Sequence, residues 1–168
     1  MEIRSASSGD IDAIVDVHLR SSKAAYANLP ASVVAVSAES RRVRWGEALA
    51  EPDSLVWVAE DAGQVVGFCH LRIFAAGSTH AGSAEIVSLY LDPARWHQGI
   101  GRALVERARS AAQVRGCRRL FLKAYTENER ARAAYQAMGF AARPGTIVHE
   151  RTGLLLMYFE MRLSEGPA

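Results

Sequence analysis

A glycine-bearing turn between a strand and a helix is the stretch of this sequence best equipped for chemistry. The apolar residues Ile86, Val87, Leu89 and Leu91 read as a buried strand, which Asp92-Pro93 ends. The segment Trp96-His97-Gln98-Gly99-Ile100-Gly101-Arg102 follows and opens a helix. Such a turn leaves several backbone N–H groups unpaired and aimed at one point, where the helix dipole also favours negative charge. A phosphate is the natural occupant. The nucleoside-triphosphate loop, G-x-x-x-x-G-K-[ST], is excluded because Arg102-Ala103-Leu104 follows the glycines. The dinucleotide fingerprint is excluded because Leu104 stands at its third glycine. The next strand, near Leu120 to Ala124, also carries no acidic residue for a ribose.

A second constellation lies further on. Thr126-Glu127-Asn128-Glu129 fits the S/T-x-x-E capping box and predicts a helix start. Ala131, Ala134, Tyr135 and Met138 then recur on one helical face. Gly139 ends the helix and Phe140 returns to the core.

Together these segments resemble the GNAT superfamily of N-acetyltransferases. The resemblance rests on AEIVSLYLDP with the QGIGRAL turn, and on N-x-x-A-x-x-x-Y-x-x-x-G-F from Asn128 to Phe140. It implies a mixed α/β (α+β) GNAT fold, with a central sheet of about six or seven strands and about four helices. It also implies acetyl-CoA as co-substrate and direct transfer of acetyl to a primary amine of a small molecule or peptide. The implied CoA-binding residues are Leu89, Tyr90 and Leu91 on the strand, Trp96, His97, Gln98, Gly99, Ile100, Gly101 and Arg102 in the turn, and Asn128 and Tyr135 across from them. Two positions depart from the family pattern. Trp96 stands where the pyrophosphate loop usually has Gln or Arg, and His97 where it often has Gly.

The chemistry asks for few groups. A free alkyl amine has a pKa of ~10, so a base helps to neutralise it. Glu85, on the central strand, is the candidate; the other reading is a strand-end carboxylate facing water. The thiolate leaving group, from a thiol of pKa ~8.5, benefits from an O–H donor. The resemblance assigns that role to Tyr135, which could also be an aromatic packed between helix and sheet. Tyr26, after the first helix, and His149, on the penultimate strand, join Glu85 as candidate acceptor-pocket residues. A non-catalytic CoA-binding module of the same fold is the competing function.

Composition sets the frame. The 168 residues suit a single domain spanning 1–168, and 49% hydrophobic residues supply a core. The net charge of +2 gives no case for a nucleic-acid partner. Cys69 and Cys117 stand far apart and suggest no metal site. The N-terminus lacks a signal-peptide core, and no apolar run is long enough to span a membrane, so a cytoplasmic protein with no membrane partner is expected.

The expected element order is β-α-α-β-β-β-α-β-α-β-β. The second helix is expected over Ala38 to Leu49, with Val43 and Leu49 inward. The last two strands are expected near Thr146 to Glu150 and Leu154 to Leu163. The unbroken apolar run Leu154 to Phe159 requires cover on both faces. Either a strand inside the sheet or a homodimer would provide it.

Overall fold

Apolar side chains spaced for one helical face bury Ile14, Val15 and Val17 of helix α1 (Ile11–Ala25) against the sheet. A computed structural model describes residues 1–164. The remaining elements are β1 (Glu2–Ser5), α2 (Ala38–Ala50), β2 (Ser54–Asp61), β3 (Gln64–Ile73), β4 (Ser83–Leu91), α3 (Ile100–Val114), β5 (Arg119–Tyr125), α4 (Glu129–Ala137), β6 (Ala141–Val148) and β7 (Leu155–Arg162). The seven strands form one sheet in the order β1-β2-β3-β4-β5-β7-β6. Only the β4–β5 pair is parallel; the others are antiparallel.

Two apolar layers hold the sheet. On one face, Leu104, Val105, Ala108 and Ala112 of α3 pack with Leu71, Ile86, Leu120, Leu122 and Phe159, and Tyr135 and Met138 at the end of α4 join them. On the other face, α1 and α2 bury Ile14, Val15, Val17 and Trp45 against Val56, Val58 and Phe68. Each fully buried large side chain contributes roughly 1.5–3 kcal/mol.

Two features of β4 shape the site. Its parallel pairing covers only Ser83–Ile86 against Arg119–Leu122, although the strands run on to Leu91 and Tyr125. The main chain of residues 87–91 is therefore not paired with β5, and of its groups Leu91 O is taken by the Trp96 indole. A bulge also interrupts β4, because Ile86 faces Leu71 while Ser88 faces His70. Val87 is the extra residue and is 38% exposed, so it is not part of the buried run the sequence suggested. The bulge keeps Ala84, Ile86, Leu89 and Leu91 all in the α3 core.

Other expectations need correction. Val43 of α2 is 54% exposed, and the helix buries Arg41 and Trp45 instead. The inward stripe follows Trp45, which meets Phe68 edge-on at 5.0 Å. The cap of α4 is Asn128, whose Oδ1 accepts from Ala131 N–H at 3.1 Å; Thr126 bonds Glu127 and caps nothing. Strand β6 begins at Ala141, and all its residues are exposed, so no apolar alternation marked its first half. His149 lies just beyond it, in the hairpin turn. Strand β7 sits between β5 and β6. That is the interior position the run allowed for, although within Leu154–Phe159 only Phe159 is buried and Leu155 is 42% exposed.

Candidate active site

The turn before α3 is built by three local devices. Asp92 Oδ1 accepts from Ala94 N–H at 3.0 Å, and its Oδ2 pairs with Arg20 of α1 at 2.9 Å. The Trp96 indole N–H donates to Leu91 O at 3.1 Å, folding the turn back onto the end of β4. His97 and Gly99 adopt left-handed backbone conformations, at φ +62° and +81°. That conformation favours glycine, and His tolerates it better than most residues. Gly101 has negative φ and is set apart by a close approach instead. A Cβ there would lie 3.1 Å from Leu91 Cδ1, where α3 starts against β4.

The helix then leaves its first donors open. Ala103 N–H donates to Gly99 O at 3.1 Å, so the amides of the preceding first turn have no partner within the helix. Their positive end faces a cavity of about 300 Å³. Leu89, Tyr90 and Leu91 form one wall, beside the edge of β4 not paired with β5. Trp96, His97, Gly99, Ile100, Gly101 and Arg102 form the second, and Asn128 and Tyr135 the third. Tyr26 closes the end toward α1. Gln98 is absent from the lining, and its side chain donates outward to Ala94 O at 3.2 Å.

Two arginines link the turn and α4. Arg102 Nη2 donates to Ala137 O at 2.8 Å. Arg130 lays its guanidinium 3.5 Å from the centre of the Trp96 ring. A cation thus stands over Trp96, at the loop position where the family usually carries Gln or Arg. Arg130 escaped the sequence reading because an arginine early in a helix looks solvated.

Three tyrosines meet at the inner end of the cavity. Tyr26 and Tyr90 share a hydroxyl–hydroxyl bond of 3.2 Å. Burial, and then Tyr90 and Cys69, push the Tyr135 hydroxyl well above its ordinary value. Burial does the same to Tyr26. Both are neutral O–H groups over the whole working pH range. Tyr135 packs edge-on to Phe140 and Phe159 and also lines the cavity. The cap bond occupies Asn128 Oδ1 and leaves its NH₂ for a ligand.

Glu85 lies outside this cavity. It is 5% exposed, on the opposite side of β4 from Leu89, and pairs with Lys123 Nζ of β5 at 2.8 Å. His149 is also apart: Thr152 Oγ1 lies 3.0 Å from its Nδ1, and its ring packs on Tyr125, which itself meets Tyr26 at 5.5 Å. Arg151, in the same hairpin turn, donates to Ser32 O and, at 2.9 Å, to Val33 O, fastening the hairpin to the α1–α2 connection.

A second cavity, of about 260 Å³, opens on the α1–α2 face. His18, Arg41 and Trp45 line it together with His70, Val87 and Ser88 of the sheet. Burial lowers the His18 pKa to about 3 and the His70 pKa to about 4, so both are neutral. His70 bonds Ser54 at 2.7 Å. The spacing of Arg41 and Trp45, four residues apart, was the available signal that Arg41 faces inward.

Comparison with known proteins agrees with this geometry. Residues 23–140 match the family model described as the acetyltransferase (GNAT) family. A mycothiol acetyltransferase of Beutenbergia cavernae is 35% identical over 122 residues, which cover 71% of this chain and 38% of that protein. An aminoglycoside N(6′)-acetyltransferase type 1 of Stenotrophomonas maltophilia is 30% identical over 56% of this chain and 64% of its own length. The chain therefore spans well under half of the first relative and just under two thirds of the second. A ribosomal-protein-alanine N-acetyltransferase of Brucella melitensis superposes with a TM-score of 0.76 at 27% identity, covering 97% of this chain and all of that one. The fold of an N-acetyltransferase of Thermoplasma acidophilum, solved with coenzyme A, matches with a TM-score of 0.76 at 23% identity, over 94% and 96% of the two chains. The match over residues 23–140, more than half of its length, establishes that this chain belongs to the acetyltransferase (GNAT) family.

Proposed function

We propose that the protein transfers an acetyl group from acetyl-CoA directly to a primary amine of a small molecule or peptide. The observation that carries this reading is the convergence of three unspent features on one cavity: the first-turn amides of α3, the open edge of β4 and the Tyr135 hydroxyl. The amides of residues 97–102 suit a diphosphate. Arg130, over Trp96, adds positive charge. The main chain of residues 87–91, not paired with β5, suits the amides of a pantetheine arm, as an added strand would. Bound there, acetyl-CoA supplies an activated thioester.

This chain's own residues supply the proton transfers. Glu85 accepts the proton of the incoming ammonium group through water, since its carboxylate sits across β4 from the cavity. Tyr135, held neutral by burial, donates its hydroxyl proton to the departing sulfur. Tyr26 and Tyr90 narrow the acceptor end of the cavity through their shared bond.

A CoA-binding module without chemistry is the competing reading. The test is release of free thiol from acetyl-CoA over a panel of amines, with CoA affinity measured in parallel. Amine-dependent thiol release is expected. Affinity for CoA with no release on any amine would leave only the module.

A further inference from the structure

We infer that Arg41 anchors a carboxylate of the acceptor, so that the amine acetylated belongs to an amino acid or an amino-acid-like molecule. The inference rests on the acetyltransferase reading above and names the acceptor class.

Among the described residues, Arg41 is a buried cation with no anion paired to it. It is 7% exposed, and among the described residues its Nε is a buried polar nitrogen with no hydrogen-bond partner. Its Nη1 reaches only the His18 ring, 2.8 Å from Nε2, and His18 is neutral. The charged neighbours that bear on it are Arg44 and Arg151, both of like sign. Glu47 and Glu51 line the same cavity from further along α2, but no ion pair joins either to Arg41. A buried guanidinium is normally paired with an acid, and an unmet N–H in the interior is costly. An acid brought in by a ligand would meet both needs, and the guanidinium fork suits a carboxylate with two parallel bonds.

The position fits an acceptor. Arg41 lines the second cavity, whose floor is Val87 and Ser88. These residues directly precede Leu89, which lines the first cavity. The ring of His18 lies tilted on that of Tyr90, centroids 4.3 Å apart, so Arg41, His18 and the Tyr90–Tyr26 pair form a continuous line of contacts from one cavity to the other. At about 260 Å³ the space is small for a ligand site and suits a compact molecule. An acceptor with its acid on Arg41 presents its amine toward the bulge of β4, on the face that also carries Glu85.

The test compares L-amino acids with their carboxamides as acceptors, for the wild-type chain and for Arg41→Gln. The ratio of kcat/KM between acid and amide is taken in each protein, and the change in ratio cancels the difference in amine basicity. Thermal shifts by the same compounds, with CoA present, give a second readout that needs no turnover. The wild-type chain should favour acids at least tenfold, and Arg41→Gln should lose that preference through KM while binding CoA within twofold of wild type. Ser88→Asp, which places a competing acid in the cavity, should raise Tm and weaken acid-bearing acceptors. Equal responses to acids and amides in both readouts, or an acid preference that persists in Arg41→Gln, overturns the role of Arg41. Absence of thiol release from every amine sinks the acetyltransferase reading instead, and the thermal shifts then still decide the anion site.

Discussion

Glu85 is paired with Lys123 at 2.8 Å inside the sheet, and this pair offers a test of its role as base. Lys123→Met leaves a buried carboxylate without its counter-charge, which is costly and disturbs the carboxylate a base must offer. The variant should therefore lose kcat at neutral pH while keeping CoA affinity. An unchanged kcat removes Glu85 from that role. Glu85→Gln should lower kcat by ~10²–10⁴-fold and leave CoA affinity unchanged. Tyr135→Phe should lower kcat and kcat/KM together by about 10²-fold, because its hydroxyl acts on the leaving sulfur only as the bond breaks. Tyr135 and Asn128 were legible because helical spacing and a resemblance both marked them. Arg41 and Arg151 were not. Arg151 finds its carbonyl partners 118 and 119 residues away, and Arg41 meets His18 at a separation of 23, distances that no local pattern encodes.

Among the elements, the turn leading into α3 is the most exacting. Gly99→Ala should destabilise the fold by about 1–2 kcal/mol, the cost of a side chain in a left-handed conformation. It should also weaken CoA binding by shifting the donors of the first turn; calorimetry with CoA reads that effect. His97→Gly tests whether amide or imidazole holds the phosphate. Relief of backbone strain and added chain flexibility, each of about 1 kcal/mol, should nearly cancel in stability. CoA affinity should persist, and its loss would assign the contact to the imidazole. The turn was legible from Gly99, Gly101 and Asp92-Pro93, whereas the bulge of β4 was not. A single extra residue leaves the apolar composition of a strand unchanged, so Val87 reads as buried until its partner strand is in place. Helix α2 was misread for a related reason, since it turns only Arg41 and Trp45 fully inward and one of the two is charged.

Over the whole molecule, element order and sheet content followed from the sequence because strands and helices alternate with distinct periods and clear turn signals. What the sequence did not disclose is how the two faces of the sheet differ, with the glycine turn on the α3 side and two neutral histidines beneath α1 and α2. Those histidines make stability depend on pH. His18 and His70 have folded pKa values of about 3 and about 4, below the ordinary 6.5, so the unfolded chain binds more protons between those values. Their contribution is constant above pH 6.5 and is lost as pH falls below it. From pH 7 to pH 5 each should cost about 2 kcal/mol of stability, and denaturant titration of the wild type against His70→Gln should show a shallower fall in the variant. Crystals grown with acetyl-CoA would examine the phosphate turn and the open strand edge together. The diphosphate oxygens should lie within about 3.2 Å of main-chain nitrogens of residues 97–102, with the pantetheine amides paired along residues 87–91. Finding those nitrogens bonded within the chain and the nucleotide held elsewhere would disprove the proposed mode of binding.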